Sequence, residues 1–183
     1  MKHATRAWRY AEKVVAGKIV TGHLVRLACE RMLSWRDRDD VRFDRIRAID
    51  ACEFIEEFPH TKGRWARDKE PFLLSDWQCF FICMIFGWVW ASSGQRVITR
   101  ARLYVSRKNG KSDLAARIGL YMLCADGEYA PEVYCGATSE KQAWEVFRPA
   151  KRMASAEPQF CEEMQIDVRA RSIVELESGG FFQ

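Results

Sequence analysis

The chain has 183 residues, enough to bury a core and to form one domain or part of a larger one. Hydrophobic residues make up 48% and charged residues 30%, which indicates a globular protein and argues against a disordered chain. The net charge of +4 permits contact with nucleic acid but is too small to argue for it.

The seven cysteines are odd in number and scattered, mostly within apolar runs. No Cys-x-x-Cys pair occurs, which argues against a zinc site and against a disulfide framework. A reducing cytosol is therefore the expected compartment. Residues 2–13 carry several basic side chains without an apolar core between them, so we expect no secretory signal there.

Apolar residues recur at helical spacing in three segments of residues 4–57, which predicts three helices. The first is expected to end at Gly17, the second to follow Gly22, and the third to begin near Asp44, with residues 36–40 as a solvated turn. The residues expected to face inward are Ala7, Tyr10, Ala11, Val14 and Val15, then Leu24, Leu27, Ala28 and Met32, then Ile46, Ile49, Phe54 and Ile55. The three histidines neighbour no nucleophile, and we expect them at the surface or at helix ends.

Residues 59–70 are polar and highly charged, which indicates a linker. We therefore divide the chain into a helical N-terminal segment at 1–60, a linker at 61–71 and a core domain at 72–183. The next run, residues 72–91, is nearly all apolar and about long enough to cross a bilayer. Because Asp76 and Gln78 interrupt it near its start, a buried helix with Ser75 as its N-cap is favoured over a membrane span. Gln78 could simply satisfy a backbone group or face water.

The segment Ser106-Arg107-Lys108-Asn109-Gly110-Lys111-Ser112 has the composition of a phosphate-binding loop. An extended run at 100–106 precedes it, and helical spacing follows from 113 to 125, so the order predicted is strand, tight loop, helix. In such a loop the backbone N–H groups and the positive end of the helix hold phosphate oxygens.

Three residues of this loop have distinct expected roles. Gly110 lets the backbone approach the phosphates, Lys111 would reach the β- and γ-phosphates, and the Ser112 hydroxyl would ligate Mg²⁺. The usual first glycine is replaced by Val105, so a solvated basic loop is the alternative interpretation. A polyphosphate would also be attracted by the surrounding basic residues, which are Arg96, Arg100, Arg102, Arg107, Lys108 and Lys111.

Beyond the loop helix, residues 132–137 are predicted to form a second short strand. Thr138 and Ser139 then cap a helix that Pro149 is expected to kink. Residues 165–170 and 172–177 alternate enough to form a hairpin or two short strands. Strand, loop, helix, strand and helix in this order predict an α/β fold with a P-loop NTPase-type parallel sheet flanked by helices.

Three segments together resemble the large subunits of phage terminases, the ATPases that package DNA into tailed-phage heads. The segment at 106–112 is similar to the variant phosphate loop of that family, in which the first glycine is often lost. Arg107 matches the family's loop arginine, three places before the glycine. The segment Leu74-x-x-Trp77-Gln78 and the segment 137–143 are also similar to terminases.

The resemblance implies that ATP and Mg²⁺ bind here and that the chain is the N-terminal part of an ATPase domain. In that family a glutamine placed like Gln78 reads the adenine edge, for which a side-chain amide can accept from N6 and donate to N7. Lys111 and Arg107 would be catalytic, and Ser112 would hold the metal. The implied partners are double-stranded phage DNA, the small terminase subunit and the portal ring, with several copies of the chain forming the motor in the host cytosol and no membrane involved.

ATP hydrolysis also needs an acidic residue at the end of a second strand and a glutamate that orients water. Asp126 follows an apolar run that belongs to the predicted loop helix, and Glu175 and Glu177 lie in a short alternating strand, so none of them fits. The resemblance places the acidic strand and a nuclease domain after residue 183, so we expect a truncated or excised piece. Without that strand a sheet edge would be exposed, so we expect marginal stability or self-association.

Other functions stay open at this point. A nucleotide-binding prophage remnant that does not hydrolyse ATP would share the loop and lack the acidic strand. A helicase-like P-loop ATPase would need its acidic residues further along the chain. A small-molecule kinase would need an acceptor site and a lid, and the sequence offers no convincing lid.

Overall fold

Residues 2–183, which the computed structural model describes, form eight α-helices, one short 3₁₀ helix at Trp35–Asp37, and six short strands. The helices are α1 (Lys2–Val15), α2 (His23–Ser34), α3 (Arg45–Glu57), α4 (Gly63–Arg67), α5 (Asp76–Gly87), α6 (Lys111–Cys124), α7 (Glu140–Ala156) and α8 (Pro158–Glu163). The strands are β1 (Val41–Phe43), β2 (Trp88–Trp90), β3 (Glu132–Val133), β4 (Ile166–Val168), β5 (Ile173–Glu175) and β6 (Phe181–Phe182).

The chain divides into two units, each with its own core. The first contains the chain up to Glu53 together with Leu73–Leu103, and the second contains Phe54–Phe72 together with Tyr104–Gln183. These units do not follow the domain boundaries predicted at residues 60 and 72, and those boundaries stay a prediction.

In the first unit, α1 packs against α2 and α5 through a face of small residues. Ala7 and Ala11 are fully buried, and the ring of Tyr10 packs against that of Phe80 in α5. Arg6 joins α1 to α5, because its Nε donates to the Asp76 carboxylate at 2.7 Å. The inward stripe predicted for the first helix is therefore confirmed at these positions.

A cluster of aromatic rings fills the other part of this core. Trp88 is buried, with its ring 5.4 Å from that of Phe43, 5.2 Å from that of Trp35 and 6.0 Å from that of Trp8, all edge to face. Phe43 and Trp88 are also paired residues of the antiparallel strands β1 and β2. Neither strand was predicted from the sequence, because each consists of only three residues.

Three residues predicted to face inward are exposed instead. Leu24 is 70% exposed and Leu27 is 45% exposed, because α2 is covered only along the face that carries Cys29 and Met32. Ile46, in the first turn of α3, is 72% exposed. Helical spacing identifies a possible buried face, but a neighbouring element must cover that face before it is buried.

The long apolar run is a buried helix followed by a strand. Helix α5 has 12 residues, with Ser75 as its N-cap as predicted, and β2 follows directly. No helix within residues 2–183 is both long and apolar enough to cross a bilayer.

In the second unit, α6 and α7 pack together beside a sheet with strand order β3-β6-β5-β4. The predicted hairpin is confirmed as β4 and β5, which pair antiparallel. Strands β5 and β6 are also antiparallel, whereas β3 and β6 are parallel. The fold is thus mixed α/β, and among the described residues of this sheet β3 and β6 form the parallel pair.

The strand predicted at 100–106 is wrong. These residues have no regular secondary structure and pair with no other strand within residues 2–183. Tyr104, within this segment, is 79% exposed. A strand is stabilised by the ladder of hydrogen bonds to its neighbour, so an extended sequence without a partner does not become one.

Candidate functional site

The segment 106–112 forms a turn that leads directly into α6. Gly110 is the N-cap of that helix and has a φ of 67°, a left-handed conformation that glycine adopts without steric cost. A Cβ added there would meet no atom within 4 Å, so the space above the turn is open. Lys108 has a φ of 68°, so two residues of this short turn are left-handed. The turn therefore bends sharply and presents its backbone to solvent.

Asn109 braces the turn from within. Its Nδ2 donates to Ser106 Oγ at 2.6 Å, and contacts the carbonyl oxygens of Ser106 at 3.3 Å and Arg107 at 3.4 Å. These bonds join the two ends of the turn without occupying the backbone amides. Asn109 thus acts on the shape of the loop, whereas the sequence predicted only direct contact with a nucleotide.

The N-terminus of α6 offers free donors to an anion. Within residues 2–183, no acceptor takes a hydrogen bond from the backbone N–H groups of Gly110, Lys111 and Ser112. The Lys111 side chain is exposed, and neither it nor the Arg107 side chain forms an ion pair in the described chain. Unsatisfied amides at the positive end of a helix of 14 residues, next to a free ammonium group, suit phosphate oxygens.

Gln78 lies in the first unit, at the third position of α5, and is buried. Its Oε1 accepts from the Ser75 N–H and from the Ser75 hydroxyl, both at 2.8 Å, in a capping box. Gln78 therefore satisfies a backbone group, as the simpler of the two interpretations expected. Its Nε2 donates to no described residue and is the atom left for a ligand.

Arg117, in the second turn of α6, is 0% exposed, and its guanidinium is enclosed by acceptors. Nη1 donates to the carbonyl oxygens of Ile55 at 2.8 Å and Phe58 at 2.5 Å. Nη2 donates to the carbonyl oxygen of Pro59 at 2.8 Å, and Nε donates to the Asp113 carboxylate at 3.0 Å. Burial lowers the pKa of Arg117, and the Asp113 carboxylate opposes that shift. The charge is thus retained inside the protein by hydrogen bonds and one ion pair.

Two more residues complete this cluster. The face of the Phe72 ring lies 3.8 Å from the Arg117 guanidinium carbon, and the Thr61 hydroxyl donates to Asp113 Oδ1 at 2.9 Å. The sequence predicted a linker at residues 61–71, and these contacts were not predicted. The available signal was Arg117 itself, an arginine in an apolar helix four positions after an aspartate.

The segment 137–143 has the geometry of an ordinary helix start. Ser139 is the N-cap of α7 and accepts from the Gln142 N–H, and the Thr138 hydroxyl donates to Gln142 Oε1 at 2.7 Å. The cap predicted there is confirmed. Pro149 lies within α7.

The carboxylates considered for hydrolysis have other surroundings. Residues 120–124, which precede Asp126, belong to α6, as the sequence predicted. Glu175 accepts from the Ser178 hydroxyl and from two backbone N–H groups that follow β5. Those hydrogen bonds, with that from Ser178 first, lower the pKa of Glu175. Glu175 therefore closes a turn.

A sharp glycine turn, free amides at a helix N-terminus and an adjacent lysine are the features of the phosphate-binding loop of nucleotide-binding proteins. The family model described as "Terminase large subunit, ATPase domain" matches residues 76–183, and the chain belongs to this family. A comparison with curated proteins gives no match.

Among solved structures, the chain is similar to the crystal structure of the HK97 bacteriophage large terminase, with a TM-score of 0.59 and 25% sequence identity. The match covers 75% of this chain and 26% of the HK97 protein, so this chain spans about a quarter of that protein's length. The family match and the structural similarity agree that this chain contains part of an ATPase domain of the terminase type.

Proposed function

We propose that residues 106–112 bind the triphosphate of Mg·ATP and that the chain is the ATP-binding part of a terminase large subunit. The observation that carries this proposal is the set of free N–H groups at Gly110, Lys111 and Ser112, at the start of α6. The membership of the terminase ATPase family supports the same function.

Each loop residue has a role that follows from its position. The Lys111 ammonium would neutralise the β- and γ-phosphate oxygens, and the Ser112 hydroxyl, which bonds no described residue, is available to the magnesium ion. Arg107, also exposed, would contact the γ-phosphate. Mg²⁺, when bound, supplies positive charge that neutralises the developing charge on the phosphate oxygens.

The remaining loop residues support binding less directly. Asn109 and Ser106 would preserve the shape of the turn through their hydrogen bond of 2.6 Å. Lys108 would add positive charge beside the phosphates. Gly110 leaves the backbone uncovered, because it carries no Cβ above the turn.

Gln78 is proposed to contact adenine through its Nε2. The Oε1 atom already accepts two hydrogen bonds from Ser75, so the free donor, rather than the acceptor, is the group suited to the base. An N–H donor matches N7, an acceptor present in both adenine and guanine. A single hydrogen bond to N7 would strengthen the binding of either purine. It would distinguish adenine from guanine less well than an amide that also accepts from N6.

The larger assembly follows from the family and is part of the proposal. The partners would be double-stranded phage DNA, the small terminase subunit and the portal ring, with copies of the chain forming the packaging motor in the host cytosol. The parallel pair β3 and β6 would belong to a P-loop NTPase-type parallel sheet, with residues 72–183 as the N-terminal part of the ATPase domain and residues 1–60 as the helical segment before it.

Nucleotide titration of the full chain with Mg·ATP tests the loop. A hydrogen bond to a charged group contributes about 1.5–3 kcal/mol, so Lys111→Ala should weaken binding by roughly 10- to 100-fold. Lys18→Ala removes the same charge from an exposed site in the first unit and should bind like the wild type. Equal affinities for the wild type and Lys111→Ala would refute the site.

Two substitutions separate the roles of Gln78. Gln78→Glu keeps an oxygen acceptor for the Ser75 cap and removes the Nε2 donor, whereas Gln78→Ala removes both. We expect both variants to bind ATP more weakly, by roughly 2- to 10-fold for the loss of one hydrogen bond. If Gln78→Glu binds as tightly as the wild type, Gln78 serves only as a cap.

A further inference from the structure

Helix α6 is tied at its start to a distant part of the chain by two polar residues on its inner face. Asp113 directly follows Ser112, and its carboxylate uses one oxygen for the Thr61 hydroxyl at 2.9 Å and the other for Arg117 at 3.0 Å. Each carboxylate oxygen therefore already accepts a hydrogen bond within the second unit, so we do not assign Asp113 as a metal ligand.

Arg117 extends this connection to the end of α3. It contacts three acceptors there, the carbonyl oxygens of Ile55, Phe58 and Pro59. The last carbonyls of a helix have no partner within the helix, and a buried arginine satisfies them well. The guanidinium thus joins the C-terminal end of α3 to the first turns of α6.

The hydrogen bonds of Arg117 restrict the orientation of α6. A guanidinium is planar and presents its donors in a fixed fork, so bonds to three carbonyls and one carboxylate allow few orientations of the helix that carries it. The centroid of the Phe72 ring lies 3.8 Å from the guanidinium carbon, so this ring further restricts how the guanidinium can be placed. The backbone N–H groups of residues 110–112 belong to the start of α6, so their direction is set by the orientation of its first turn.

We propose that Thr61, Asp113 and Arg117 are positioning residues that orient the first turn of α6, and with it the phosphate-binding amides. The proposal rests on the proposed function of the loop and adds three residues that touch neither phosphate nor metal. Preorganised donors bind an anion more tightly than donors that must be ordered on binding, so loosening the cluster should weaken triphosphate affinity.

Thr61 offers the sharpest variant because threonine and valine have similar shapes. Thr61→Val removes the hydrogen bond to Asp113 without changing charge or volume much, whereas Thr61→Ser keeps the hydroxyl. We expect Thr61→Val to weaken Mg·ATP binding by the full chain about two- to tenfold, the size of one lost hydrogen bond, and Thr61→Ser to keep most of the wild-type affinity. Both variants should be measured well below their melting temperatures.

Asp113→Asn separates positioning from simple electrostatics. Removing a negative charge near the loop should strengthen binding of a polyanion if only long-range charge matters. If orientation matters, the loss of the ion pair to Arg117 should weaken binding. Tighter binding of Mg·ATP by Asp113→Asn would overturn the proposal, and weaker binding would support it.

Lys111→Ala distinguishes the failure of this inference from the failure of the loop assignment. If Lys111→Ala loses affinity while Thr61→Val equals the wild type, the positioning role is wrong and the loop assignment stands. Equal losses in Thr61→Val and Thr61→Ser would also overturn the role, since the hydroxyl is then not the cause. If Lys111→Ala binds like the wild type, both proposals fail.

Discussion

Gly119, in the middle of α6, provides a stringent test of how closely this helix packs against the sheet. An alanine Cβ at this position would lie 2.6 Å from both Cε1 and Cζ of Phe182, a buried residue of β6. The ring of Phe182 also packs edge to face against Phe147 of α7, at 5.5 Å between centroids. Because Phe182 has α7 behind it, it has little room to retreat.

Two opposing effects decide the stability of Gly119→Ala. Alanine is favoured over glycine in a helix interior by about 1 kcal/mol. Overpacking a close-packed core typically costs about 1–3 kcal/mol, and two ring atoms at 2.6 Å place this substitution toward the upper end. We therefore expect a net loss of about 1–2 kcal/mol in the free energy of unfolding.

Equilibrium urea unfolding, followed by circular dichroism, measures this loss as a lower midpoint at an unchanged slope. Gly136→Ala is the matched control, because an added Cβ there meets nothing within 4 Å and φ is not positive, so its effect should stay within about 0.5 kcal/mol. Phe182→Leu in the Gly119→Ala background should recover part of the loss relative to the two single changes. A midpoint above that of the wild type for Gly119→Ala would refute the packing argument.

Two further predictions use the surroundings of titrating groups. Burial, with smaller effects from Glu175 and Cys161, raises the pKa of Cys124 to about 12, so iodoacetamide should modify it at pH 8 roughly a thousandfold more slowly than an ordinary thiol. Mass spectrometry of native and urea-unfolded protein checks this, and equal rates would contradict it. The pKa of Glu175 is lowered first by the Ser178 hydroxyl, so its contribution to stability is present above the ordinary glutamate pKa and is lost as pH falls below it. Glu175→Gln should therefore show a shallower loss of stability in acid, measured by urea midpoints across pH, and an unchanged acid dependence would argue against the role of Glu175.

The ends of helices were predictable where the signal is local: Ser75 caps α5, Ser139 caps α7, and Gly110 precedes α6. The hairpin of β4 and β5 was also predictable, because its strands are adjacent in the chain. The turn at Gly110 and the helix after it follow from a short run of consecutive residues, so the amino-acid sequence was sufficient to locate the candidate site.

Other features depended on residues far apart in the sequence. Leu24 and Ile46 have helical spacing, yet no element within residues 2–183 covers them. Residues 100–106 have the composition of a strand, yet no strand in that range pairs with them. The three carbonyl oxygens that accept from Arg117 lie 58 to 62 positions earlier in the chain, so its burial could not be inferred from its neighbours.

The sequence by itself thus determined where this protein has the glycine turn at 106–110 and the helix that follows it, since caps and glycine turns involve residues within four positions of one another. Only the tertiary structure decided which faces are buried, which extended segments pair, and how α6 is anchored to the end of α3. Those outcomes depend on which distant segments pack together. Burial and hydrogen bonding stabilise a segment only after its partner is in place.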